Sequence, residues 1–177
     1  MKGDLTVSGP ASTLNFRVAA SATRFDVGEP LYWDGTTNSS GAISVNTVEL
    51  MDNDGIVIGT DTFAGVAIKG ARPFVTGTVV AHETLSACPI GEAGLIEGNA
   101  ETAANIDTAA ELIAITGDLV LIDYNSTGAS DGGPLYTIQD TASADTSAFT
   151  IRGGNTSLGT LKVSVDVRAY RTANDIS

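Results

Sequence analysis

Between Arg72 and Arg152 this chain contains no lysine or arginine, although the 79 residues in between carry eleven carboxylates. Acids there have no basic neighbour in sequence, so they must meet water, mobile cations, or basic groups supplied from elsewhere. Phosphate backbones are held by cations and exposed N–H groups, which makes this half of the protein a poor nucleic-acid surface. The net charge of −12 repels nucleic acid and anionic lipid alike. Cysteine occurs once, at Cys88, which excludes an internal disulfide. Histidine also occurs once, at His82, so the multiple His and Cys ligands of an ordinary zinc site are lacking. No apolar run approaches the ~20 residues that cross a bilayer as a helix. The opening Met1-Lys2-Gly3-Asp4 leads into polar sequence without the apolar h-region of a secretory signal, so none is expected.

What is present is strand-forming sequence. From Leu161 to Arg168 every second residue is apolar, as a sheet with one wet face requires. This alternation predicts that Val165 is buried and that Ser164 faces water. Leu14, Phe16 and Val18 alternate with Asn15 and Arg17 in the same way. Further strands are expected at Pro30–Trp33, Phe63–Ile68, Phe74–Ala81, Gly94–Glu97, Leu119–Tyr124, Leu135–Gln139 and Phe149–Arg152. Turn-rich segments separate them at Asp34–Gly41, Asp52–Gly55, Asn125–Pro134, Ala142–Thr146 and Gly153–Ser157. The expected fold is mainly β, a small β-barrel or β-sandwich of short antiparallel strands with one short helix. Its 177 residues suit a single domain over 13–177, preceded by a polar, flexible N-terminal arm over 1–12 with few means of packing.

The helix is announced by Thr108 and Glu111, which have capping-box spacing, with Asp107 as an alternative cap. Leu112, Ile113 and Ile115 supply its apolar patch and Gly117 can end it. Upstream, the alanine-rich 99–105 run is compatible with helix or extended loop. The whole segment 83–115 reads as an acidic, insertion-like stretch. A short echo also runs through the chain. Gly28-Glu29-Pro30-Leu31-Tyr32-Trp33-Asp34 matches Gly117-Asp118-Leu119-Val120-Leu121-Ile122-Asp123 in register. Convergent strand and turn chemistry accounts for seven residues as well as duplication does.

Sequence offers little catalytic equipment. Cys88 precedes Pro89 in an apolar stretch, where an inert buried thiol is the expected outcome, and no third group is evident to orient a Cys–His pair. Asp52-Asn53-Asp54-Gly55 begins like a calcium loop, but Ile56 takes the third ligand position and Phe63 the twelfth, so a hairpin turn explains it equally well. Asp131-Gly132-Gly133 reads as a surface turn. Gly153-Gly154 follows Arg152, yet a phosphate cradle needs a helix next and a strand is expected instead. No nucleophile elbow and no Walker-type loop occurs. Tyr32, Trp33 and Tyr124 lie beside turns, where they either stack on a sugar ring or pack a strand end. No enzymatic activity, cofactor or resident metal is expected.

From Leu14 onward the order of segments resembles the head decoration, or capsid cement, proteins of tailed bacteriophages. The carrying segments are Asp26–Gly35, Phe63–Ile68, Gly117–Tyr124 and the closing Val163–Tyr170. The resemblance implies a non-enzymatic structural virion protein with a β-barrel-like body, made in the host cytoplasm and seated on the outer capsid surface. It implies the major capsid protein as partner, a homotrimer, and reinforcement of capsomer junctions. It is diffuse and departs at 83–115. Arg17, Arg24, Lys162, Arg168 and Arg171 lie near the chain ends and are the candidate capsid contacts, with 83–145 turned to solvent. The same five residues would also suit wet strand faces. Another shell or tail component, and a carbohydrate-binding β module, are the rival readings.

Overall fold

A computed structural model of the protein describes residues 5–8, 14–18, 27–33, 47–50, 63–68, 74–76, 79–81, 84–88, 94–124, 136–143 and 147–166. In chain order the strands are β1 (Thr6–Ser8), β2 (Leu14–Val18), β3 (Pro30–Trp33), β4 (Thr47–Leu50), β5 (Phe63–Ala67), β6 (Phe74–Thr76), β7 (Val79–Ala81), β8 (Thr84–Cys88) and β9 (Leu95–Asn99). A 3₁₀ turn (Ala103–Ile106) and helix α1 (Ala109–Ile115) follow. The last strands are β10 (Leu119–Val120), β11 (Ile122–Tyr124), β12 (Tyr136–Ile138), β13 (Phe149–Asn155) and β14 (Thr160–Val165). The chain is mainly β, with largely antiparallel sheets and one α-helix among the described residues, as expected.

Two circuits of strand pairing organise the molecule. In the first, β2 pairs with β4, β4 with β3, β3 with β5, β5 with β8, and β8 again with β2. In the second, the sheet β1-β9-β14-β13-β10 continues through the β11–β12 hairpin. A parallel bridge from Ile138 to Ala100 returns the path to the end of β9. Among the described residues the first circuit closes on itself through short seams, and the second does not close as a continuous ladder. The β2–β4 and β5–β8 seams rest on two residue pairs each, and the second circuit closes through that lone bridge.

The two circuits repeat each other residue for residue. Val18 opposite Val48 and Trp33 opposite Val48 correspond to Ala100 opposite Ile138 and Ile122 opposite Ile138. Ala67 opposite Ala87 and Leu14 opposite Ala87 correspond to Ile151 opposite Val163 and Ile96 opposite Val163. Arg17 opposite Thr84 becomes Asn99 opposite Thr160. The backbone bonds repeat too. Gly28 N donates to Ala67 O and Ala67 N to Glu29 O, at 2.8 and 2.9 Å. Gly117 N donates to Ile151 O and Ile151 N to Asp118 O, at 2.9 and 3.0 Å. Gly28 and Gly117 both have positive φ, 87° and 102°, where side chains are disfavoured. The echo in the sequence is therefore in the register of the fold. Each circuit has five equivalent parts: β2 and β9, β3 and β10–β11, β4 and β12, β5 and β13, β8 and β14.

This arrangement corrects several expectations. The 83–115 stretch is no insertion, because it holds the last strand of the first circuit, the first strand of the second, and the helix. Thr47–Leu50, Thr84–Cys88 and Thr6–Ser8 are strands that alternation did not reveal. Phe74–Ala81 is a hairpin of two strands, not one. Leu119–Tyr124 breaks at Leu121, sending its halves to different partners. Gly153–Asn155 continues β13, and the turn comes later, over 156–159.

The N-terminal segment also differs from the expectation of few packing contacts. Thr6, Val7 and Ser8 pair with Glu97, Ile96 and Leu95, and Leu5 is 3% exposed. Leu5 lies where a β-carbon on Gly98 would come within 2.5 Å of its Cδ2, so the glycine makes room for the leucine. The core continues from Leu5 through Ile96, Leu161, Val163, Val165, Phe149, Ile151 and Val120 to Ile122 and Ile138. Phe63 joins it from the first circuit, edge-on to Phe149 with ring centroids 5.7 Å apart. Burial of such side chains contributes roughly 1.5–3 kcal/mol each.

Helix α1 forms as its sequence predicts. Thr108 Oγ1 accepts from Glu111 N while the Glu111 carboxylate accepts from Thr108 N, the reciprocal capping box. Gly117 follows the C-cap Thr116 with φ 102°. Only part of the expected apolar patch is used: Leu112 and Ile115 pack on the core, whereas Ile113 points away from it.

Candidate interaction surfaces

Of the five candidate capsid contacts, Arg24, Arg168 and Arg171 lie outside the described residues. Arg17 is on β2, opposite Thr84 and Thr47, in the first circuit. Lys162 is on β14 in the second. No strand pairing joins β2 to β14 among the described residues, so Arg17 and Lys162 do not share a sheet.

Lys162 belongs instead to the outer face of the five-stranded sheet. Its neighbours Leu161 and Val163 turn inward and are buried, which leaves Lys162 outward. Its ammonium lies 3.5 Å from a Glu97 carboxylate oxygen, and Thr160 Oγ1 donates to the other at 3.0 Å. One acid of the cation-free stretch thus finds its base 65 positions away, a pairing that only strand register creates. With both partners partly exposed, such a pair is worth well under about 1 kcal/mol.

Sequence reasoning passed over Arg152, which the structure places beside Lys162. Ile151 opposes Val163 and Gly153 opposes Lys162, so Arg152 is the extra residue of a β-bulge. The bulge aims it outward, where its Nε donates to Ser164 Oγ at 2.8 Å. Ser164 is consequently buried, against the expectation of a wet position, while Val165 is buried as expected. The detectable signal was Arg152 before Gly153-Gly154 at the end of an alternating strand, a bulge signature. Half-buried Leu95 and Leu119 lie on the same face, since Ile96 and Val120 beside them turn inward.

Not all the acids of the middle stretch face solvent. Asp140 is buried and accepts from Thr102 N at 2.8 Å and from Asn105 Nδ2 at 3.3 Å, fastening the loop ahead of α1. Asp123 accepts from Gln139 Nε2 at 2.8 Å. Partial burial, then the charges of Asp123 and Asp140, push the Glu101 carboxyl above its ordinary range. Among the described residues no group of three or more His, Cys, Asp or Glu side chains is arranged to hold a metal ion. No described helix is long and apolar enough to cross a membrane.

His82, the Asp52–Gly55 loop and Asp131-Gly132-Gly133 lie outside the described residues. Cys88 ends β8 opposite Val66. Gly153 and Gly154 are in strand β13, not before a helix. Comparison with family models, with curated proteins and with solved structures found no match to the chain.

Proposed function

We propose that the protein is a structural virion component that binds the outer surface of a phage capsid and stabilises capsomer junctions, as a homo-oligomer and most simply a trimer. The observation that carries this reading is the polarised charge. All nine cations lie in the first 72 or the last 26 residues, and the 79 between are anionic. A surface that never meets packaged DNA tolerates that anionic majority, while clustered basic residues suit an acidic lattice. Resemblance of the segment order to head decoration proteins supports the same reading. So does the duplicated β unit, because a repeating lattice rewards several weak contacts made at once. Arg17, Arg24, Arg168 and Arg171 are the capsid-contact candidates. Lys162, held by Glu97, is the weakest of the five.

The test is co-sedimentation with undecorated capsids across a salt series. The wild-type protein is expected to pellet with capsids at low salt and progressively less as salt rises. Neutralising Arg17, Arg24 and Arg168 together should weaken attachment and flatten the salt dependence. Wild-type protein that stays in the supernatant at every salt concentration would refute the reading. Shells or tubes formed by the protein alone would favour a shell or tail component, and glycan binding by the isolated chain would favour a carbohydrate module.

A further inference from the structure

The duplicated fold contains its own control for the role of α1. In the first circuit nine residues, 19–27, lead from Val18 to Gly28. In the second, sixteen residues, 101–116, lead from Ala100 to the equivalent Gly117. The same set of pairings is completed with nine, so the topology does not require the additional seven. The longer connection builds the 3₁₀ turn and α1.

The inner side of α1 lies over the buried face of the five-stranded sheet. Leu112 Cδ1 is 3.3 Å from the position a β-carbon on Gly154 would take. The outer side is apolar and uncovered. Ala109, Ala110 and Ala114 are exposed there, and Ile113 is 74% exposed. The β13–β14 turn packs against the 3₁₀ turn, where Gly159 leaves room for Ala103, and holds Leu158 at 68% exposure. Glu101, Asp107 and Glu111 carry the charge of this lobe, with Asp118 just beyond the helix. A side-chain hydrogen bond with Glu111, and then its charge, push the Asp107 carboxyl up, the signature of acids crowded without a base. The only two described cationic side chains, Arg152 and Lys162, are on the opposite, outer face of the same sheet.

We infer that α1 docks on the outer sheet face of a second copy of this chain. Ile113 and Leu158 would meet the half-buried Leu95 and Leu119, and Asp107 and Glu111 would face Arg152 and the Lys162–Glu97 pair beside it. Apolar side chains on the two surfaces, and the acids of the helix with Arg152, are thereby complementary. Because the surfaces lie on opposite sides of one sheet, the contact is head-to-tail. Each copy uses its helix on one neighbour and its sheet on another, and repetition closes a ring or extends a filament. The inference rests on the homo-oligomer of the proposed function and not on its capsid.

The experiment is light scattering on the purified full chain and two variants. Ile113→Asp disables the helix face, and Arg152→Glu with Lys162→Glu disables the sheet face. Ile113 and Arg152 are exposed and Lys162 is partly exposed, and far-UV circular dichroism reports whether the fold is retained. Wild-type protein is expected at a multiple of its 18.0 kDa chain mass, and each variant alone at the single-chain mass. An equimolar mixture of the two variants retains one intact helix face and one intact sheet face. It should form a 1:1 dimer that grows no further. A monomeric wild type, variants that keep the wild-type mass, or a mixture that stays monomeric would each overturn the inference. A monomer that still pellets with capsids would remove the homo-oligomer and leave the capsid binding of the proposed function standing.

Discussion

Truncating Leu5 tests whether the N-terminal segment is part of the folded body. Leu5 is almost fully buried beside Ile138 and the bare backbone of Gly98, and β1 adds three residue pairs to the sheet edge. Leu5→Ala removes a core side chain and leaves a hole, which should cost about 2–5 kcal/mol. Gly98→Ala places a methyl 2.5 Å from Leu5 Cδ2 and 3.4 Å from Ile138 Cδ1. The close contact is with the end of a flexible side chain, so Leu5 can yield, at a cost of roughly 1–3 kcal/mol. The double variant is the informative one. With Leu5 shortened, the new methyl enters vacated space instead of colliding. The two losses should then fall short of additivity by about 0.5–3 kcal/mol, a coupling typical of residues in contact. Urea denaturation of the four proteins, with equal m-values as a check on two-state behaviour, measures the cycle. A loss below about 0.5 kcal/mol for Leu5→Ala, the range of surface changes, would show that the segment is not packed. Strict additivity would show that Leu5 and Gly98 do not touch.

Three further outcomes are expected. Asp140→Ala should lower stability by about 2–3 kcal/mol, since it removes a buried charged acceptor from two donors, and an unchanged thermal transition would refute that role. Asp140→Asn should lose less, because it keeps an oxygen for Thr102 N and relieves the repulsion with Glu101. Glu101 has a raised carboxyl pKa, so its contribution favours the folded state below the unfolded pKa and is lost as pH rises through the folded value. Glu101→Gln should therefore raise the melting temperature slightly at neutral pH, with the gain vanishing as pH falls through the carboxylate range. A gain that does not change with pH would assign the effect to something other than charge.

Local chemistry was legible wherever short-range rules govern it. The capping box at Thr108 and Glu111, the stop at Gly117, and the alternation that buries Leu161, Val163 and Val165 depend on neighbours within a turn or a pleat. The glycine, acid and strand echo was legible too, because identical backbone requirements call for the same residues at Gly28 and Gly117. The extent of the duplication was not. It lies in which strand pairs with which, and partners such as Val18 with Val48, or Ala100 with Ile138, tolerate any residue of suitable size. Tertiary register alone joined Glu97 to Lys162 and aimed Arg152 through a bulge onto Ser164. It also drew Leu5 under the sheet edge and left Ile113 outside the core, though both are aliphatic residues in otherwise unremarkable segments. Sequence sets what each residue prefers over a few ångströms. Where two distant strands meet, the decision comes from closing a whole circuit of hydrogen bonds around one core, and no single segment carries that information.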